Sequence, residues 1–285
     1  MNYRLMRFPG WRSKAVTFSY DDGLIHDRRL LEILNRRGIK CTLNLNSKRL
    51  IGGNDFTVED AVAAIAAGHE IAVHGAEHLA PGMVPVAAAV RDALICREEL
   101  ETALHTIIRG MAYPDSGIQK YVNGSCYADT REILKAIGIV YARTLGGDNS
   151  SFNLPEDWYA WLPTAHHGND RLFEFIDAFL SLDPDKGWPS VGDPRLFYLW
   201  GHSYEFQDAH NWERLEAICE KLGGREDLWY ATNIDIHDYI EAYRSLFISA
   251  DGRRIYNPTA TVLYFCEKEK NCKIEPGETL TVDLV

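Results

Sequence analysis

Two short segments of this 285-residue chain carry side chains whose types and spacing suit metal chemistry. In Gly68-His69-Glu70-Ile71-Ala72-Val73-His74-Gly75-Ala76-Glu77-His78 the last two histidines stand four residues apart, so one helical turn or a tight loop aims both imidazoles at one ion. Upstream, Phe18-Ser19-Tyr20-Asp21-Asp22-Gly23 sets two carboxylates after an apolar run. An oxygen of Asp22 with His74 and His78 makes a facial set of one carboxylate and two imidazoles, leaving positions open for water and substrate. Asp21 then remains free to act as a base on that water. Taken alone, Asp-Asp-Gly reads as a surface turn. The two segments in this order, each after a strand-like run, predict a site.

Such residues need a scaffold. Ala15-Val16-Thr17-Phe18 reads as a strand, and residues 28–34 carry a helix pattern that stops near Gly38. Residues 41–46 alternate with period two, as a strand does. Thr57-Val58-Glu59-Asp60 opens a helix with a start resembling a capping box, and Gly68 closes it. A long amphipathic helix is expected over 86–105. Later strands are expected at 107–108, 139–142, 196–200 and 228–231, with helices at 130–136, 171–182, 212–222 and 236–246. This alternation predicts an α/β fold with parallel strands and crossover helices, and both a doubly wound sheet and a barrel satisfy it. From Phe247 the texture changes to short runs punctuated by Asp251-Gly252 and Pro276-Gly277, with strands expected at 261–265 and 279–284. Roughly 40 residues rarely hold a core alone. The chain is therefore expected to divide into a main unit, 1–246, and a small β-rich appendage, 247–285, packed on it.

In its motifs the sequence resembles the polysaccharide deacetylases of the NodB-homology type, carbohydrate esterase family 4. The family's Thr-Phe-Asp-Asp-Gly motif is matched by Ser19 to Gly23, its Gly-His-Glu-Ile-x-x-His-x-x-x-His segment by Gly68 to His78, and its late strand ending in a catalytic His by Leu196 to His202. The resemblance implies an irregular seven-stranded (β/α) barrel, with the chemistry on loops at the carboxyl ends of the strands. Asp21-Asp22, His74, Asp115 and His202 all follow expected strands. The family's Arg-x-Pro-Tyr segment corresponds to Ala112-Tyr113-Pro114-Asp115, so the arginine that pairs with the base is an alanine here. Arg143, at the end of a later strand, is the candidate substitute. The family's Asp-Trp motif corresponds to Asp157-Trp158, with Trp161 competing for the aromatic role. Tyr113, Arg143, Asp157, Trp158, Trp161 and Trp200 are thus expected to line the substrate site. His69 and Glu70 precede their strand and read as structural. His166 and His167 are adjacent, so their side chains are expected to diverge rather than chelate one ion together.

A formal net charge of −11, from 30 basic and 41 acidic residues, argues against a sequence-independent nucleic-acid surface. No run is apolar enough to span a membrane, and the N-terminal residues lack a stretch of signal-peptide length. Six scattered cysteines without a Cys-x-x-Cys pair fit a reduced, cytoplasmic chain, although Cys266 and Cys272 flank a turn and can bridge.

The resemblance implies metal-dependent removal of N- or O-acetyl groups from a carbohydrate or small acetylated substrate, with zinc the first choice of ion. Asp21 is the expected base and His202 the acid for the leaving group, with backbone N–H groups near Asp115 helping to stabilise the oxyanion. Two alternatives stand beside it: a cyclic amide or imide hydrolase of the same fold, and a poorly active metal-containing protein that binds carbohydrate.

Overall fold

The computed structural model describes residues 4–53, 55–145, 148–184, 186, 192–267 and 270–282. Strands run in chain order from β1 (Arg4–Arg7) and β2 (Lys14–Asp22) through β3 (Cys41–Leu45), β4 (Glu70–Val73), β5 (Gly110–Ala112), β6 (Tyr141–Arg143), β7 (Ala165–His166), β8 (Arg195–Gly201) and β9 (Leu228–Tyr230). Seven of them form a curled parallel sheet in the order β6-β5-β4-β3-β2-β8-β7. At its centre β2 is buried at eight of nine positions, as a parallel strand covered on both faces must be. One edge of β2 pairs with β8 over Lys14 to Tyr20. The other pairs with β9 over Lys14 to Val16 and with β3 from Phe18 onward. The sheet ends are drawn together by residues 161–166: Trp161 bridges to Arg143 on β6, while Ala165 and His166 pair with Leu199 and Trp200 on β8. This is the NodB-like (β/α) barrel that the motifs imply.

Amphipathic helices cover the outside. Val58–Ala66 starts where expected, because Thr57 and Asp60 exchange the hydrogen bonds of a full capping box. Val86–Leu104 matches the long helix expected over 86–105. The strand expected at 107–108 instead lies at Gly110–Ala112. There the ring of Tyr141 occupies the space a side chain on residue 110 would need: a Cβ on Gly110 would lie 2.2 Å from the Tyr141 hydroxyl oxygen. The apolar Ile107 is left 74% exposed.

Helix Asn233–Arg244 closes the end of the barrel opposite the carboxyl ends of the strands. Its first N–H groups donate to Thr42 Oγ1 (3.0 Å) and Glu70 Oε2 (2.9 Å), at the starts of β3 and β4, and Glu70 also accepts from Tyr141 and Thr42. His69, likewise at this end, accepts the Cys41 N–H on Nδ1 and faces Asn35 through Nε2. Burial holds its pKa down to about 4. Both residues are structural.

Beyond residue 246 come β10 (Phe247–Ile248), β11 (Arg254–Tyr256), β12 (Leu263–Glu267), β13 (Lys270–Ile274) and β14 (Thr279–Thr281). Asp283 and Leu284 of the expected last strand lie outside the described residues. β10, β11 and β14 form one small antiparallel sheet. The other is β1-β12-β13, so four N-terminal residues complete a sheet made otherwise by the tail. Ile255, Leu263, Phe265 and Ile274 share an apolar cluster with Tyr141, Trp161 and Tyr198 of the barrel, which is how this region finds a core. All six cysteines, Cys266 and Cys272 included, are free thiols. Among the described residues no helix is long and apolar enough to cross a membrane.

Candidate active site

The carboxyl ends of β2, β4, β5, β6 and β8 converge, and each delivers one or two polar side chains. Asp21 and Asp22 end β2, His74 follows β4, Asp115 follows β5, Arg143 ends β6, and Trp200 and His202 straddle the end of β8. Asp22, His78 and Asp115 hold φ values of +83°, +58° and +46°, a conformation that costs a non-glycine residue about 1–3 kcal/mol and persists where the surroundings impose it.

Asp22, His74 and His78 form a group able to hold a metal ion. Asp22 Oδ1 lies 3.6 Å from Nε2 of each histidine, and the two Nε2 atoms are 3.2 Å apart. Ligand atoms about 2.1 Å from a shared ion sit ~3.0–3.4 Å from one another, so the three fit one cation with little movement. The tautomer supports the fit. His74 Nδ1 lies 2.9 Å from the carbonyl oxygen of Ala112 and donates to it, which leaves Nε2 with a bare lone pair facing His78. Burial holds the pKa of His74 below its ordinary value, so the ring stays neutral as a ligand must.

Asp21 is buried beside this group, with Oδ2 4.0 Å from His74 Nε2 and 3.9 Å from His202 Nε2. Oδ1 accepts a 2.8 Å hydrogen bond from Asn44 Nδ2, and Oδ2 accepts one from Arg143 Nη2. Arg143 is fully buried, its guanidinium 4.4 Å over the Trp200 ring. Although Ala112 stands at the motif position, a guanidinium still meets the aspartate, reaching it from β6. Burial pushes the Asp21 carboxyl up, but Arg143, His74, His202 and the Asn44 bond outweigh it, and its pKa is lowered.

Opposite Asp21, His202 leads into a short helix, Ser203–Asp208, whose Glu205 accepts the His202 N–H (3.2 Å). His166 and His167, expected to diverge, both bring Nε2 to Glu205 Oε2, at 3.0 and 2.9 Å. Asp115 reaches the rim, its Oδ2 3.7 Å from His78 Nδ1. Trp200 borders the site, edge-on to His166 and His202.

Four expected lining residues lie elsewhere. Tyr113 is buried in the layer between sheet and helices, with its hydroxyl on the Tyr159 carbonyl and its N–H on the Arg143 carbonyl. Asp157 caps a short 3₁₀ turn and accepts from Tyr127. Trp158 donates to Glu241 and packs on His237, at the closed end of the barrel. Trp161 is buried against Tyr141 and Tyr198. The Asp-Trp correspondence therefore does not put an aromatic wall on this site.

Three supporting residues went unnoticed in the sequence. Asn44 belongs to the alternating set Thr42, Asn44 and Asn46, and polar residues recurring with period two along a buried strand and just past its end are its signal. Glu205 stands three residues past His202. Asp92 sits on the buried stripe of helix Val86–Leu104 with Ala93, Cys96 and Leu100, a place where an acid needs partners. Its carboxylate accepts the N–H groups of Glu77 (2.6 Å) and Leu79 (3.0 Å) and so clamps the chain on either side of His78. Gly75 lets it approach, since a Cβ there would lie 2.3 Å from Asp92 Oδ2. Asp92→Ala leaves both donors without their acceptor and is expected to cost about 2–3 kcal/mol in a urea unfolding curve. A loss below ~0.5 kcal/mol, the level of an ordinary surface change, would remove the clamp.

The architecture is that of a NodB-like barrel with a carboxylate–imidazole group at its mouth. Residues 11–142, which carry the Asp21-Asp22 pair and the His74–His78 loop, match the polysaccharide deacetylase family model. No curated protein sequence matches. Among solved structures, two proteins assigned to the polysaccharide deacetylases superpose with a TM-score of 0.57. One, from Mycobacterium smegmatis, is 17% identical over 84% of this chain and 94% of its own. The other, from Pseudomonas aeruginosa PAO1, is 13% identical over 84% of this chain and 93% of its own. Puue allantoinase also superposes at 0.57, with 13% identity over 81% of this chain and 91% of its own. At these identities the structural likeness is one of fold.

Proposed function

We propose that this protein is a metal-dependent hydrolase that removes N- or O-acetyl groups from a carbohydrate, with residues 1–246 as the catalytic unit and 247–285 as its appendage. The observation that carries this is the convergence of Asp22, His74 and His78 on one point with a separate carboxylate, Asp21, beside it. In this reading Asp22, His74 and His78 hold a divalent ion, most simply zinc. Such an ion supplies Lewis acidity, lowering the pKa of water and polarising the acetyl carbonyl.

The rest falls to the protein. Asp21, kept ionised by Arg143, accepts a proton from the attacking water. The backbone N–H of Asp115, a residue whose carboxylate lies 3.7 Å from His78 Nδ1, is the candidate donor to the developing oxyanion. His202 delivers a proton to the departing nitrogen or oxygen as its bond to the acetyl carbon breaks. Trp200 and His166 form the wall of the cleft next to it.

The test strips the protein with a chelator, reloads it with zinc, and assays acetylated chito-oligosaccharides, an aryl acetate and allantoin. Acetate release that disappears on stripping and returns on reloading is the expected result. Ring opening of allantoin without acetate release would replace this reading with the cyclic-amide one. Zinc and oligosaccharide binding with no turnover of any substrate would replace it with the binding-protein one.

A further inference from the structure

Glu205 gathers more donors than the chemistry above uses. Its Oε2 lies 3.0 Å from His166 Nε2, 2.9 Å from His167 Nε2 and 3.2 Å from the His202 N–H, and His202 Nδ1 lies 3.5 Å away. By composition, His166, His202 and Glu205 are a second group able to hold a metal. The tautomer argues against it. The N–H of Gly168 donates to His166 Nδ1 (3.1 Å), so that nitrogen carries the lone pair and the ring's proton is on Nε2, aimed at Glu205. His74 is arranged the other way, with Nδ1–H on a carbonyl and Nε2 bare.

His167 is buried, and burial holds its pKa down to about 4, so it too faces Glu205 as a neutral donor. Its ring fits because residue 201 is glycine: a Cβ there would lie 2.1 Å from His167 Nδ1. Two neutral rings and a backbone N–H thus fix one carboxylate oxygen in place without cancelling its charge. The ionisable groups facing His202 are Asp21 and Asp22 from β2, His166 at the end of β7, His167 just past it, and Tyr204 and Glu205 from the short helix that follows His202. Of the three carboxylates among them, Glu205 is the one beside Nδ1.

We propose that Glu205 is the positioning residue for the proton donor: it supports the imidazolium of His202 at Nδ1, so that Nε2 presents its proton to the cleft. The proposal rests on the reading of His202 as the general acid. As the bond to the acetyl carbon breaks, the Nε2 proton passes to the leaving nitrogen or oxygen, and His202 returns to its neutral form beside an unchanged Glu205. Burial lowers the pKa of His202, and the carboxylates of Glu205, Asp21 and Asp22 more than offset that, so it lies above the ordinary histidine value.

Glu205→Gln keeps an acceptor for the three donors and removes the charge. In the zinc-loaded protein the His202 ring is followed by NMR across pH, and the kcat/KM profile is measured on an amide and on an aryl acetate. The expected result is a fall in the His202 midpoint of about one pH unit or more, with the basic limb of the amide profile moving the same way. The amide kcat is expected to fall roughly tenfold further than that of the aryl ester, with KM little changed. An unmoved His202 midpoint overturns the proposal. So does a second zinc equivalent per chain that His166→Ala removes. If the midpoint falls but the wild type hydrolyses no acetyl substrate, the role of Glu205 stands and the proposed reaction fails. Should the Gln variant not fold, Glu205→Asp is read the same way: a lowered midpoint supports the proposal and an unmoved one overturns it.

Discussion

Asp21→Asn is expected to lower kcat for deacetylation by roughly 10²–10⁴-fold, the usual worth of a general base, while leaving the metal content unchanged. Asparagine fills the same space, and its amide oxygen can still accept from Arg143 or Asn44, but it does not take a proton from water. The substitution also removes the negative partner of a guanidinium that is fully buried and whose Nε and Nη1 already lack hydrogen-bond partners in the structure. Uncovering a buried charge costs about 3–5 kcal/mol, so the same variant is expected to melt well below the wild type. Activity and stability then separate in a double variant. Adding Arg143→Met removes the stranded charge and is expected to restore most of the melting temperature but none of the rate. A double variant that regains the rate would take the base role away from Asp21. A single variant with wild-type melting would show that Arg143 does not depend on Asp21.

The second large effect is expected at His74. His74→Ala removes the ligand whose Nε2 stands 3.2 Å from that of His78 and 3.6 Å from Asp22 Oδ1. The two groups left, an exposed-side imidazole and one carboxylate, make a poor site for any first-row ion. Purified, dialysed variant protein is expected to carry little zinc by elemental analysis, and its activity is expected to match that of chelator-stripped wild type. Because Nδ1 of His74 also donates to Ala112, some stability is lost as well. His78→Ala is the cleaner control: its ring is about one-third exposed, and its close polar neighbours among the described residues, His74, Asp22 and Asp115, belong to the site. Equal metal content in wild type and both variants would mean that the ion, if any, binds elsewhere. Activity that survives with the metal gone would mean that hydrolysis does not use it.

The placement of Asp21, Asp22, His74 and His202 was legible in the sequence because each sits at the end of an apolar run, and strand periodicity is a local property. So was the alternation of strands and helices, which limits the architecture to a parallel sheet, and the motif resemblance then selected the barrel. The motif resemblance anticipates one partnership across the ring, Arg143 with Asp21, because it leaves a motif arginine missing; the other partnerships are not legible, and spacing alone reveals none of them. Arg143 meets Asp21 from 122 residues away, and nothing in the spacing of either residue encodes that meeting, which depends on how β2 and β6 are set around the curled sheet. The same dependence sends Trp158 to the closed end, buries Trp161 against Tyr141 and Tyr198, and puts Tyr113 into the outer layer, although all three stand at or beside motif positions. It also brings His166 and His167 together on Glu205, since a strand's period of two separates adjacent side chains only while the strand lasts, and β7 stops at His166. Local sequence decides which end of a strand a residue occupies and which face it takes. Only closure of the barrel decides what stands opposite, because that is settled by the register and curvature of all the strands at once.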